Sequence, residues 1–223
     1  GNEVGGDFYD VWEEADGWLI TMGDVAGKGV EAAALTSLVR HTMRATSEFI
    51  SSPAELLRHV DRTLKRQRAR SICTALVLRL QRDRAILAVG GHPLPFAIGS
   101  QGITRVGEHG PLLGGFAGAH WRDSVIGLEP GTTLVAFTDG VTDAVGTDGS
   151  RYGIERLAQT LGQCPGQAAT KVVEALAHAL GSFQVGPNAD DTAVLAVRRL
   201  SRHQMPQRTG AERQPMEAIG SSR

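Results

Sequence analysis

Residues 5–30 read GGDFYDVWEEADGWLITMGDVAGKGV, and the architecture of the chain can be worked outward from them. Two apolar stretches, Phe8 to Trp12 and Trp18 to Thr21, flank the polar Glu13-Glu14-Ala15-Asp16-Gly17. An Asp-Gly pair between two such runs predicts a β-hairpin, so strands come first. After the Gly-rich loop that ends at Gly29, the positions Leu35, Leu38, Val39 and Met43 keep the i, i+3, i+4, i+8 spacing of an amphipathic helix. A second helix is announced by Ser52 as N-cap and Pro53 at the first helical position, with Leu56, Leu57, Val60 and Leu64 on one face. Its tail, Lys65 to Arg70, is a basic cluster.

From Ser71 to Leu80 the pattern turns strand-like, Thr74, Leu76, Leu78 and Leu80 alternating with Cys73, Ala75, Val77 and Arg79. Gln81-Arg82-Asp83 reads as a turn into Ala85 to Val89. Further short strands are expected at Leu94 to Ile98, Trp121 to Gly127 and Thr132 to Thr138. Ile154, Leu157, Ala158 and Leu161 mark a third helix, Val172, Val173, Leu176 and Leu180 a fourth, and Thr192 to Val197 a final strand. Strand, helix, many strands, helix, strand is an α+β order with helices outside packed sheets. Beyond Arg199 the chain is polar and aperiodic and reads as a tail or linker.

Composition narrows the partners. With 23 Lys+Arg against 24 Asp+Glu the net charge is -1, so no chain-wide basic field exists and nucleic acid is not an expected partner. No apolar run approaches about 20 residues and no charged n-region precedes an apolar segment, so neither a membrane span nor a signal peptide is read. Two cysteines, Cys73 and Cys164, form no disulfide framework, which fits a reducing, cytoplasmic location. Glycine is unusually frequent, 28 of 223 residues, and only Lys28, Lys65 and Lys171 are lysines. The chain opens at Gly1, inside a Gly-rich segment, and reads as a piece of something longer.

Acidic residues at strand edges carry the chemistry. Asp7, Asp24 and Asp139 each sit in a Gly-rich turn beside an expected strand, and Asp190 with Asp191 precedes the last one. Carboxylates at such positions are costly unless paired or metal-bound, and Mg²⁺ or Mn²⁺ is the natural cation for a set of hard oxygen ligands. Taken singly, Asp139-Gly140 is ordinary turn chemistry and Asp190-Asp191 a solvated strand cap. The combination carries the metal reading.

In chain order the motifs are Gly5-Gly6-Asp7-Phe8-Tyr9-Asp10, then Gly23-Asp24-Val25-Ala26-Gly27-Lys28-Gly29-Val30 opening a helix, then Gly90-Gly91-His92-Pro93-Leu94-Pro95. Pro111-Leu112-Leu113-Gly114, Phe137-Thr138-Asp139-Gly140-Val141-Thr142-Asp143 and Asp190-Asp191 follow. This series resembles the PPM metal-dependent serine/threonine phosphatases, specifically their bacterial SpoIIE-like branch, whose members dephosphorylate anti-sigma-factor antagonists. The resemblance spans residues 1–199. It implies a four-layer α-β-β-α sandwich of two mainly antiparallel sheets flanked by helices, with the strand that precedes the first motif missing. Residues 1–199 would then be an N-terminally truncated catalytic domain, residues 200–223 a polar tail, and an upstream sensor domain would belong to the longer chain.

The resemblance also implies two Mn²⁺ or Mg²⁺ ions. Asp24 would join both, the Val25 carbonyl would ligate one, and Asp7, Asp139 and Asp190 would supply the remaining carboxylates. Asp190 is chosen over Asp191 because the family uses the first acid of the pair, with a one-residue alternative open. The family's Asp-Asp-x-Thr stands here as Asp190-Asp191-Thr192-Ala193, without its threonine. Asp24 and Asp139 would act catalytically through a metal-bridging water that attacks the phosphate of phosphoserine or phosphothreonine in line. The expected substrate is a phosphorylated anti-sigma-factor antagonist.

Other residues have two readings. Lys28, with Gly27 and Gly140, is a substrate-binding candidate at a helix N-terminus, or a solvated lysine between turn glycines. Gly23, Gly27, Gly29 and Gly140 would let backbone approach the metals and permit φ > 0. His92 is read as a structural hydrogen-bond former ahead of an acid catalyst, and Arg68 and Arg70 as a docking surface or a solvated basic run. A P-loop fails because the loop is one residue short and Gly29 stands where a Ser/Thr hydroxyl is needed. A haloacid-dehalogenase-like phosphatase fails because Phe137 replaces the required nucleophilic aspartate. Neither cysteine lies in a cysteine-phosphatase loop. The remaining alternative is a pseudophosphatase, a binding or sensory module on the same fold.

Overall fold

The computed structural model describes residues 6–67, 71–184 and 191–200. The hairpin comprises β1 (Asp7–Glu14) and β2 (Gly17–Val25), closed by the Glu14–Gly17 pair. The loop is therefore Ala15-Asp16, and Gly17 belongs to the strand rather than to the turn. Its place is set by packing, because a Cβ there would lie 1.9 Å from the Leu80 carbonyl oxygen.

Helices α1 (Val30–Ser47) and α2 (Pro53–Lys65) follow. The start of α2 matches its sequence signal: Ser52 Oγ accepts from the Glu55 amide at 3.1 Å, and Pro53 has no amide to satisfy. The distant Asp123 carboxylate accepts the Ala54 amide at 2.7 Å. Next come β3 (Cys73–Leu80), β4 (Arg84–Gly90), β5 (Phe96–Gly99), β6 (Gly102–Arg105), β7 (His109–Gly110), β8 (Ser124–Gly127) and β9 (Thr133–Phe137). Helices α3 (Gly140–Asp143), α4 (Gly153–Gly162) and α5 (Ala169–Phe183) and strand β10 (Val194–Arg198) complete the order.

One sheet runs β1-β2-β3-β4-β7, with β8 also on β4, and the other runs β10-β9-β5-β6. All pairings are antiparallel except β4 with β7. Three apolar layers make the expected α-β-β-α sandwich. Val39 and Met43 of α1 and Leu56, Leu57, Val60 and Leu64 of α2 pack on Cys73, Ala75 and Val77 of β3. The opposite face of β3, with Leu76, Leu78 and Leu80, meets Leu134 and Ala136 of β9 between the sheets. Leu157, Leu161, Val172 and Leu176 of α4 and α5 cover Val135 and Phe137 on the far side of β9. Each such buried leucine or valine contributes about 1.5–3 kcal/mol.

Several boundaries differ from the sequence reading. β5 starts at Phe96 rather than Leu94, since Pro93 and Pro95 have no amide to give a ladder. β8 starts at Ser124 rather than Trp121, whose ring is turned into the core with Nε1 donating to the Pro111 carbonyl. β6, β7 and α3 were not anticipated, being only two to four residues long. Residues 1–5 and 201–223, and with them most of the expected tail, lie outside the described residues.

Candidate metal centre and active site

The β1–β2 register sets Asp7 directly opposite Asp24, at the end of the hairpin away from its turn. Gly6, just before β1, accepts the Val25 amide through its carbonyl at 3.1 Å and the Thr36 hydroxyl of α1 at 3.4 Å. A Cβ on Gly6 would come within 2.1 Å of the Val25 carbonyl oxygen and 2.5 Å of Asp24 Oδ1. Those two oxygens are therefore close neighbours facing a spot that only glycine leaves open. Three of the five anticipated ligand residues, Asp7, Asp24 and Val25, are thus gathered at one sheet end, and their donors are the hard oxygens a divalent cation prefers.

The loop beyond Val25 is pinned by the Ala26 amide donating to the Ile72 carbonyl at 3.1 Å. Gly27 and Gly29 have φ of 113° and 81° with no protein atom within 4 Å of where a Cβ would stand, so the backbone conformation by itself favours glycine there. Exposed Lys28 sits between them ahead of α1. Gly23 has another reason: a Cβ would lie 2.2 Å from the Thr74 carbonyl oxygen and collide with the Phe8 ring.

Asp139 is exposed at the end of β9 on the second sheet, just before α3. Fully buried Thr138 holds that end to the start of β10: its amide donates to the Ala193 carbonyl and its Oγ1 accepts the Ala193 amide, both at 3.0 Å. Gly140 is buried under the Asp191 carbonyl oxygen, which a Cβ would approach to 2.1 Å. Its role is close backbone packing rather than exposure to a substrate, and its φ is not positive. Asp191 is exposed, while Asp190 and the basic Arg68 and Arg70 lie outside the described residues. Among the described residues, no group of three His, Cys, Asp or Glu side chains stands at metal-holding spacing.

His92 occupies the crossover from β4 to β5, between the sheets, with 2 % of its surface exposed. Its Nδ1 is 3.1 Å from Thr74 Oγ1, which accepts the Asp24 amide at 3.2 Å. Burial pushes the imidazole pKa down to about 4; the facing Phe137 backbone pulls the other way, though Nε2 makes no well-formed hydrogen bond. A neutral, enclosed ring is no acid catalyst at the surface. Cys73, opposite Val25 on β3, has its thiol pKa raised by burial and by the negative charge of Asp24. A thiol held protonated is no nucleophile, which agrees with the sequence reading.

Sequence reasoning did not single out Gly6, Thr74 or Thr138. The available signals were a second glycine before the motif acid and two threonines interrupting apolar strands.

A profile of the stage II sporulation protein E (SpoIIE) family matches residues 14–200. Protein IcfG of Synechocystis sp. is 29% identical over 233 residues, covering 88% of this chain and 36% of IcfG. Phosphoserine phosphatase RsbU of Bacillus subtilis is 23% identical, covering 88% of this chain and 60% of RsbU. The chain therefore spans less than two thirds of either relative. Among solved structures, the SiaA-PP2C domain of Pseudomonas aeruginosa superposes with a TM-score of 0.78 at 27% identity, covering 87% of this chain and 80% of that one.

Proposed function

The chain belongs to the SpoIIE family, and from that premise we propose that it is a metal-dependent protein serine/threonine phosphatase acting on phosphoserine or phosphothreonine. The observation that carries this reading furthest is the meeting of Asp24 Oδ1 and the Val25 carbonyl oxygen beside Gly6, with Asp7 across the hairpin. In this reading Asp7, Asp24 and the Val25 carbonyl hold one side of a site for two Mn²⁺ or Mg²⁺ ions, and Asp139 and Asp190 hold the other. Bound there, divalent cations supply Lewis-acid activation of water and neutralise charge developing on phosphoryl oxygens.

The chain's own work is positional. The hairpin register presents Asp7 and Asp24 as a facing pair, and Gly6 keeps the spot beside Asp24 Oδ1 and the Val25 carbonyl oxygen empty of side chain. The Thr138–Ala193 bonds and the Gly140 contact keep the Asp139 turn against residues 191–192. In this reading Lys28, exposed ahead of α1, would meet substrate phosphate. With both cysteines buried, no thiol is offered as a nucleophile.

The substrate proposed is a phosphorylated anti-sigma-factor antagonist, in keeping with the kinship to RsbU, a phosphoserine phosphatase by name. No helix among the described residues is long and apolar enough to cross a membrane. The test is hydrolysis of p-nitrophenyl phosphate and of phosphorylated antagonist proteins across Mn²⁺ and Mg²⁺ titrations, with Asp24→Ala and Asp139→Ala as controls. Wild-type rates no higher than those of either variant would overturn the enzyme reading in favour of a pseudophosphatase. Aryl phosphatase activity with no release from any antagonist would overturn the substrate.

A further inference from the structure

The acids proposed to share one metal centre come from two different sheets, Asp7 and Asp24 from the first and Asp139 from the second. Between the sheets Met22, Leu76, Val89, Leu134 and Ala136 belong to one apolar cluster. Such a layer holds the sheets by interdigitated shape rather than by directional bonds. At the ligand-bearing end this layer adjoins a directional element. The crossover after β4 passes from the first sheet to the second, and the Ala75–Gly91 bridge fixes where it departs. His92 follows directly.

Building on the metal-centre reading above, we propose that His92 is the positioning residue that sets the spacing between the two halves of that centre, acting through the Thr74 hydroxyl on the Asp24 backbone. Thr74 Oγ1 already accepts the Asp24 amide, so its proton is available for His92 Nδ1, and the ring proton then resides on Nε2. The arrangement registers β2 against β3 through a side chain as well as through the ladder. It also ties that register to the chain segment entering the second sheet, where Phe96 stacks on Phe137, two residues before Asp139. A hydrocarbon of the same volume would fill the space but would leave the half-buried Thr74 hydroxyl without an acceptor for its proton at His92. His92 is too enclosed to touch substrate, so its contribution passes through Thr74 and Asp24.

The experiment measures Mn²⁺ affinity directly, by electron paramagnetic resonance of free Mn²⁺, alongside circular dichroism melts. Thr74→Val keeps the side-chain shape and removes the hydroxyl, Thr74→Ser keeps the hydroxyl, and His92→Leu removes both ring nitrogens. Partners behind metal ligands typically carry about 10–100-fold in affinity. Thr74→Val and His92→Leu are therefore each expected to weaken Mn²⁺ binding by about that factor. Thr74→Ser should recover most of the loss, and the double variant should be no weaker than the worse single. If folded Thr74→Val or folded His92→Leu binds Mn²⁺ as wild type does, or Thr74→Ser is as weak as Thr74→Val, the positioning role is overturned. Should His92→Leu fail to fold, His92→Gln, which removes the acceptor at Nδ1, takes its place under the same criterion. A wild-type chain that binds no Mn²⁺ overturns the metal-centre reading itself, an outcome distinct from unchanged variants of a chain that does bind it.

Discussion

Replacing Gly140 with alanine probes the contact that keeps the Asp139 turn against the start of the last strand. An added Cβ would stand 2.1 Å from the Asp191 carbonyl oxygen and 3.0 Å from Thr192 Oγ1, while the backbone of Gly140 itself is one any residue can adopt. The first distance is far inside van der Waals contact, so one of the two backbones must retreat by roughly 1 Å in a close-packed region. Overpacking of this kind costs about 1–3 kcal/mol. In a chain of this size that lowers Tm by roughly 2–12 °C. A shift of about 1 Å at a reacting centre costs on the order of 100-fold in rate, so kcat/KM for Mn²⁺-dependent p-nitrophenyl phosphate hydrolysis should fall by that order. Gly181 in α5 is the matched control. No atom lies within 4 Å of its missing Cβ, and alanine there should stabilise the helix by up to about 1 kcal/mol without affecting catalysis. The assay pairs circular dichroism melts with steady-state kinetics on both variants. A Gly140→Ala protein with wild-type Tm and kcat/KM would refute the steric argument, as would a Gly181→Ala protein that lost as much.

Asp61 on α2 is buried; its Oδ1 accepts the Gly114 amide at 2.8 Å and its Oδ2 pairs with Lys65 at 2.7 Å. Asp61→Ala leaves that amide unsatisfied and should cost about 1–3 kcal/mol in urea unfolding, whereas Asp61→Asn, still an acceptor, should cost less. His92 provides a pH signature for the metal-free chain. Its folded pKa, about 4, lies below its ordinary 6.5, so the unfolded chain binds the extra proton first. Stability from this group is complete above pH 6.5 and declines as pH falls towards 4, by roughly 3 kcal/mol in all. Urea midpoints at pH 7 and pH 5 should differ less in a folded His92→Asn variant than in wild type, and an equal difference would contradict the assignment. Cys73 and Cys164, both buried, should be silent to a thiol reagent in the native protein and both react in urea; one fast native thiol would reopen nucleophilic chemistry.

Local chemistry made part of this protein readable from its residues alone. The hydrophobic spacing of Leu56, Leu57, Val60 and Leu64 behind Ser52-Pro53 specifies α2, because periodicity and capping act within a few residues. Asp7, Asp24 and Asp139 stand out in the sequence as acids beside glycines, but the expected turn holds only for Asp139. Asp7 and Asp24 lie inside β1 and β2, at the paired strand ends, because the ladder runs past the apolar stretches that mark the strands in the sequence. The edges of the fold were harder: β6, β7 and α3 are too short to carry a period, and Pro93 and Pro95 delayed β5 past its apolar start.

Tertiary structure decided the rest. Both faces of β3 are buried, so alternation could not say that Cys73, Ala75 and Val77 face helices while Leu76 and Leu78 face the second sheet. Nor could spacing join Asp61 to Gly114, 53 residues away, or Thr74 to His92, 18 residues away. Gly6 and Gly140 need to be glycine because of a carbonyl oxygen that arrives from elsewhere in the chain, Val25 in one case and Asp191 in the other. Propensity and charge are properties of a residue and its neighbours, and the sequence alone determines them. Close approach of two backbones, and the hydrogen bond that registers one sheet against another, exist only after the chain has closed on itself.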